Sequence, residues 1–272
     1  MRTPEILAPA GSEDALLAAL RCGANAVYVG GKQFSARQNA ANFDLPQLQR
    51  AAKLCHLYGA KLYLTVNTLV FAPEFPALVQ FLEAAIRLGV DAFLVQDFGL
   101  LELIRQISPD VPIHASTQMT IHTPEGALWA KEHGISRVVV SRELSRKEIA
   151  AICKTGIEVE TFVHGALCMS VSGQCGLSAM IGSRSANRGR CAQACRLPFS
   201  AKGDKNGCAL SLKDLCLVPY VAELAEDGVA SLKIEGRCKR PEYVAAAVTA
   251  LVQARAGETP DLDTLRAVFS RS

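Results

Sequence analysis

Eight short β-like segments recur along the chain, most of them followed by a helical pattern, and that alternation calls for a parallel sheet. They fall at residues 6–8, 26–29, 62–66, 92–95, 113–116, 137–140, 159–163 and 231–234. Between them lie helix-like stretches such as 13–20 and 75–88, where Leu78, Val79, Leu82, Ala85 and Ile86 repeat at helical spacing. Gly23, Gly89, Gly134 and Gly228 each sit where a helix pattern gives way to the next strand, as C-terminal caps do. Eight such units in a chain of this length favour a closed, TIM-like (β/α)8 barrel over an open doubly wound sheet. The predicted organisation is a barrel-like domain over residues 1–256, carrying a long cysteine-rich insertion at 165–230 between strands seven and eight. Residues 257–272 read as the start of a truncated C-terminal extension.

The compartment decides what the cysteines can do. The N-terminal residues show no basic stretch followed by an apolar run and a small-residue cleavage site, and no apolar run reaches the roughly 18 to 20 residues of a membrane span. The expectation is a cytoplasmic protein with no membrane partner. Thiols stay reduced there, so the ten cysteines point to buried thiols and a ligand cluster rather than to disulfides. With half of its 272 residues apolar, the chain can bury a core without staples. A net charge of +3 is too small to imply nucleic-acid binding by itself.

Cys168, Cys175, Cys191 and Cys195 form a C-x6-C-x15-C-x3-C pattern, the densest group of soft ligands in the sequence. Six of the ten cysteines fall in the 165–230 insertion, which is far longer than an ordinary βα connection. Four thiolates in one loop of a reduced protein imply a metal or iron-sulfur site. Only Cys191 and Cys195 make a zinc-type knuckle, which moves weight toward an iron-sulfur cluster without settling the choice. Cys208, Cys216 or Cys238 could replace one member of the set. Cys22, Cys55 and Cys153 sit in helical patterns and read as small core hydrophobes.

Active sites of such barrels gather at the C-terminal ends of the strands. Asn67, Gln96, Asp97, Gln118, Arg142, Glu143, His164, Glu235 and Arg237 all fall there. His164, four residues before Cys168, is a candidate acid, base or orienting group. Glu160 is expected to share its strand face. Lys233, Glu235 and Arg237 alternate along the last strand and so point to one side, into the barrel. An ion-pair network is the competing reading for them. Arg184, Arg188, Arg190 and Arg196 crowd the cysteine loop, where they would offset an anionic cluster, meet phosphate or form a solvated surface. No H-E-x-x-H, G-x-S-x-G, P-loop or G-x-G-x-x-G pattern occurs.

The run ETFVHGALCMSVSGQCGLS at residues 160–178 resembles the signature of the collagenase-like peptidase family of unassigned catalytic type, a peptidase U family. LAPAGSEDALLAAL, AVYVGG, NRGRCAQACR, LSLKDLC and LKIEGR extend the resemblance over nearly the whole chain. The resemblance implies two activities. One is metal-dependent peptidase (hydrolase) chemistry, for which the residues offer no recognisable catalytic apparatus. The other, found among better-understood relatives, is oxygen-independent hydroxylation of a pyrimidine in tRNA or rRNA, with a [4Fe-4S] cluster and prephenate as oxygen source. Carried over residue by residue, the cluster falls on Cys168, Cys175, Cys191 and Cys195. Because both members of the close pair are present, the chain looks more like the RNA-modifying branch than the ubiquinone-pathway one. A small dicarboxylate such as prephenate would suit Lys233 and Arg237, and an electron-transfer partner is implied. A non-catalytic iron-sulfur partner protein remains a third expectation.

Overall fold

The computed structural model describes residues 3–37, 40–171, 173–199 and 207–270. Each of the eight sequence segments forms a strand, because each is buried on both sides and therefore reads as a near-continuous apolar run. In chain order the elements begin β1 (Glu5–Pro9), α1 (Glu13–Arg21), β2 (Ala26–Gly30), α2 (Leu45–Leu57), β3 (Lys61–Val66) and α3 (Phe75–Arg87). They continue with β4 (Ala92–Val95), α4 (Phe98–Ile107), β5 (Ile113–Ala115), α5 (Pro124–Glu132), β6 (Arg137–Val139), α6 (Arg146–Cys153) and β7 (Glu158–Ala166). The insertion then holds α7 (Leu177–Gly182), β8 (Asp214–Cys216) and α8 (Val221–Glu226), before β9 (Ser231–Ile234), α9 (Pro241–Arg255) and α10 (Leu262–Val268).

Strands β1 to β7 pair in sequence order, all parallel, and β9 closes the ring between β7 and β1. The barrel therefore has eight parallel strands, and the strand expected as the eighth is β9. β8 is an antiparallel addition outside the ring, pairing with the end of β7 through His164–Cys216 and Ala166–Asp214.

Local chemistry starts and stops the helices. Ser12, Asp44, Asp97, Thr123 and Ser145 each cap a helix N-terminus by accepting a backbone N–H. Asp97 is thus accounted for as a cap. Gly23, Gly89, Gly134 and Gly228 all adopt the left-handed conformation expected after a helix end. Leu78, Leu82 and Ala85 of α3 are buried at one-turn spacing against the barrel. Two cores result: a large one between barrel and helices, and a small inner one of Leu7, Ala26, Tyr28, Tyr63, Ala92, Leu94, Val139 and Phe162. No helix among the described residues is long and apolar enough to cross a membrane.

Candidate active site at the barrel mouth

Strand alternation places the odd residues of β9 inside the barrel. Lys233 is buried, donates to Glu160 Oε1 at 2.6 Å and lies 4.5 Å from the centre of the Tyr28 ring. Glu160 is fully buried and also accepts from Arg137, which reaches Glu158 and Glu5 as well. This lower layer is an ion-pair network that fills the barrel interior. Burial pushes the Lys233 ammonium below its ordinary value, against the opposing pull of Glu160.

One layer higher, just past the strand ends, cations outnumber anions. Glu235 accepts from Arg142 at 2.6 Å and from Arg37 at 3.3 Å. Arg237 donates to Ser35 Oγ at 2.7 Å and Thr65 Oγ1 at 2.8 Å, beside the Tyr28 ring. The Arg142 guanidinium lies 4.1 Å from the centre of the Phe162 ring. Burial opposes ionisation of Glu235, yet Arg37, Arg142, Arg237 and Lys233 together outweigh it and hold the carboxyl down at about 2. Burial brings the Arg237 guanidinium down to about 10. Two buried polar atoms here lack a protein partner: the acceptor Gln118 Oε1 and the donor Arg142 Nε. A ligand carrying both an anionic oxygen and a donor hydrogen would complete them.

These groups line a cavity of about 320 Å³. Its floor is Tyr28, Leu94 and Phe162, its walls include Lys233, Glu235, Arg237, Arg37 and Arg142, and its roof is the inserted loop. Cys168, Cys175, Cys191 and Cys195 all face this one cavity. Cys238 lines it too, whereas Cys208 and Cys216 are exposed and do not. The Cys195 thiol is raised chiefly by burial, lowered by Arg196, and raised again by Cys191, Cys168 and Cys175, so the other three thiols lie within electrostatic reach of Cys195. Among the described residues, no three His, Cys, Asp or Glu side chains stand close enough to share one metal ion. A lone zinc, with sulfur at about 2.3 Å, needs tighter grouping. A cluster that offers a separate iron to each of four thiolates takes a wider quartet, and the donor set fits that group.

The loop is fastened to the barrel at several points. Asn187 donates to Gln96 Oε1 at 3.1 Å, and Gln174 donates to the Gln118 carbonyl at 3.2 Å. Arg196 donates to the Leu167 and Leu212 carbonyls and to Ser211 Oγ. Arg188 is paired with Glu74. Of the four arginines, Arg184 and Arg190 are the exposed ones. Gly189 takes φ +81°, and a Cβ there would sit 2.8 Å from the Ser35 carbonyl oxygen, so only glycine lets the loop press this closely on the mouth.

His164 does not join this site. A β-bulge between Phe162 and His164 breaks the alternation, so Phe162 pairs with Lys233 while His164 pairs with Ile234, a residue of the outer core. The imidazole stacks on Tyr243 of α9, 5.5 Å between centroids, and burial lowers its pKa. Glu160 and His164 therefore lie on opposite faces of β7, contrary to the expectation that they share one. The sequence reading also passed over Arg37, Tyr28 and Phe162. Arg37 lies in an irregular segment after β2 with no pattern to single it out; the inward phase of β2 and β7 could have flagged the two rings.

The model of peptidase family U32 matches residues 11–260. The chain belongs to peptidase family U32. Among its U32 relatives, the tRNA hydroxylation protein P1 of Bacillus subtilis is 36% identical over 91% of this chain and 62% of its own length. The 23S rRNA 5-hydroxycytidine synthase of Escherichia coli is 41% identical, over 88% of this chain and 37% of its own. A protein named collagenase from Porphyromonas gingivalis is 35% identical, over 88% of this chain and 62% of its own. The chain thus spans less than two thirds of the length of each of these relatives. A solved U32 peptidase structure superposes with a TM-score of 0.57 at 15% identity, covering 85% of this chain and 92% of that one. The thiamine phosphate pyrophosphorylase of Pyrococcus furiosus superposes at 0.54, with 14% identity and 94% and 96% coverage. These two likenesses speak to the fold.

Proposed function

We propose that this U32 chain takes part in oxygen-independent hydroxylation of a pyrimidine in tRNA or rRNA, using a [4Fe-4S] cluster and a small anionic oxygen donor such as prephenate. The observation that carries the reading is the convergence of four loop cysteines and the cationic barrel mouth on one cavity. The activities for which the Bacillus subtilis and Escherichia coli relatives are named supply the substrate class. Cys168, Cys175, Cys191 and Cys195 would hold the cluster. When bound, it supplies one-electron and sulfur-centred chemistry, its potential tuned by nearby charge and hydrogen bonds.

The chain's own residues define the rest of the proposal. Arg142, Arg237 and Lys233 bind and orient the donor's carboxylates, with its apolar body over the Tyr28 and Phe162 rings. Gln118 Oε1 accepts a hydrogen bond from a donor group of the ligand. Glu235 keeps Arg37 and Arg142 in register until the donor arrives, and Glu160 fixes Lys233 from below.

Two measurements test this. Anaerobic purification with iron and sulfide assay is expected to give about four irons per chain, lost on replacing any of the quartet with serine and kept in Cys216→Ser; loss with Cys238→Ser but not Cys195→Ser would move the fourth ligand. Mass spectrometry of tRNA and rRNA nucleosides from a deletion strain is expected to show one hydroxylated pyrimidine missing. An unchanged nucleoside profile would sink the activity. The Porphyromonas gingivalis relative's name keeps metal-dependent peptidase activity as a second reading; it requires hydrolysis of gelatin that chelators abolish.

A further inference from the structure

A second depression lies against the outer side of the cysteine loop. It is an open groove of about 420 Å³ between Leu69 and the segment carrying Gln174, Cys175, Ser183, Arg184 and Asn187. Arg184 is the charged side chain in its described lining, and it is exposed. Gly173, Cys175 and Ala186 line both this groove and the inner cavity, so the two spaces share a wall. Phe71, two residues beyond Leu69 of that lining, is 63% exposed. Its ring is not loose. The Arg188 guanidinium backs it at 4.6 Å, and Arg188 is itself fixed by Glu74 and the Leu69 carbonyl. Glu74 also accepts the Phe71 backbone N–H at 2.8 Å. The protein thus holds a large aromatic face in water, backed by a guanidinium.

Resting on the RNA reading above, we propose that this groove seats a single-stranded segment of the RNA, with Phe71 as its stacking platform and Arg184 as a phosphate contact. Aromatic stacking beside positive charge is how single strands are held without sequence readout. A base that reacts must leave its stack, and a strand in the groove would lie one wall, that of Gly173, Cys175 and Ala186, from the inner cavity. The cationic cavity and the groove then serve different substrates, the small anion inside and the polynucleotide outside, on either side of one thiol-bearing wall.

The test is fluorescence anisotropy of the 272-residue chain with a labelled RNA stem-loop bearing a pyrimidine-rich loop. Phe71→Ala is expected to weaken binding by roughly tenfold, within the 5- to 150-fold range of a lost stack. Phe71→Trp is expected to restore it. Arg184→Gln is expected to lower the salt dependence of log Kd by about one. Thermal melts check that each variant is folded, and Trp129→Ala, an exposed aromatic on α5, is expected to bind as the parent does. If the parent chain binds no RNA, both this inference and the RNA reading fail. Should the parent bind and the Phe71 and Arg184 variants bind equally well, only the groove assignment fails. A concentration-dependent dimer in light scattering that Phe71→Ala abolishes would make the face a contact between copies and overturn the proposal.

Discussion

Lys233 and Glu160 answer to each other before they answer to any ligand. Both are buried, and removing one partner leaves an uncompensated charge. Glu160→Gln is expected to cost about 3 kcal/mol in urea unfolding, and the double variant Glu160→Gln, Lys233→Met to regain much of it. Glu235 differs because its carboxyl is held down at about 2, well below the unfolded carboxylate. Its stabilising contribution is therefore complete above about pH 5 and lost as pH falls toward 2. It amounts to about 3 kcal/mol at neutral pH. The stability gap between the parent and Glu235→Gln is expected to close over that acid window, as followed by circular dichroism. At this scale the sequence was informative where strand phase sufficed: the inward direction of Lys233 and Glu235 follows from alternation in β9. It misdirected at His164, because a single bulged residue reverses facing and leaves no compositional trace.

Among the elements, the cysteine loop depends on contacts made by its backbone. Gly189→Ala adds a methyl where Ser35 and Ala36 already press and forces a left-handed backbone on alanine. It is expected to leave barrel melting within a few degrees while making residues 165–230 cleavable by dilute protease, read as fragments on a gel. The eight ring strands were legible because parallel strands buried on both faces announce themselves as apolar runs. β8 was not. Its three residues, Asp214, Leu215 and Cys216, show no alternation, and their pairing partner lies some fifty residues earlier. That the four cysteines share a cavity was foreseeable from their place after β7; Cys238, named from the sequence as a possible replacement member, enters the same lining through the turn after β9.

For the molecule as a whole, the balance of charge at the mouth sets what it will bind. Arg37, Arg142, Arg237 and Lys233 face two carboxylates, an excess that favours anions. A dicarboxylate of prephenate type at a hundred times its dissociation constant is expected to raise unfolding free energy by about 2.7 kcal/mol, measured as an upward melting shift. Arg237→Leu is expected to remove most of that shift, and high salt to shrink it. The overall barrel could be anticipated because eight repeats of one pattern reinforce each other, while the composition of the mouth depends on loops whose course no local pattern dictates.

β7 outruns the rim, and there Ala166 lies beside Asp214. The inserted lobe consequently leaves and rejoins the scaffold at neighbouring points, so its length is bounded only weakly by closure entropy. Such a junction is a natural splice: a cassette cut at 166 and 214 could be exchanged between relatives, taking the four loop cysteines with it while the wheel of strands beneath stays as it is.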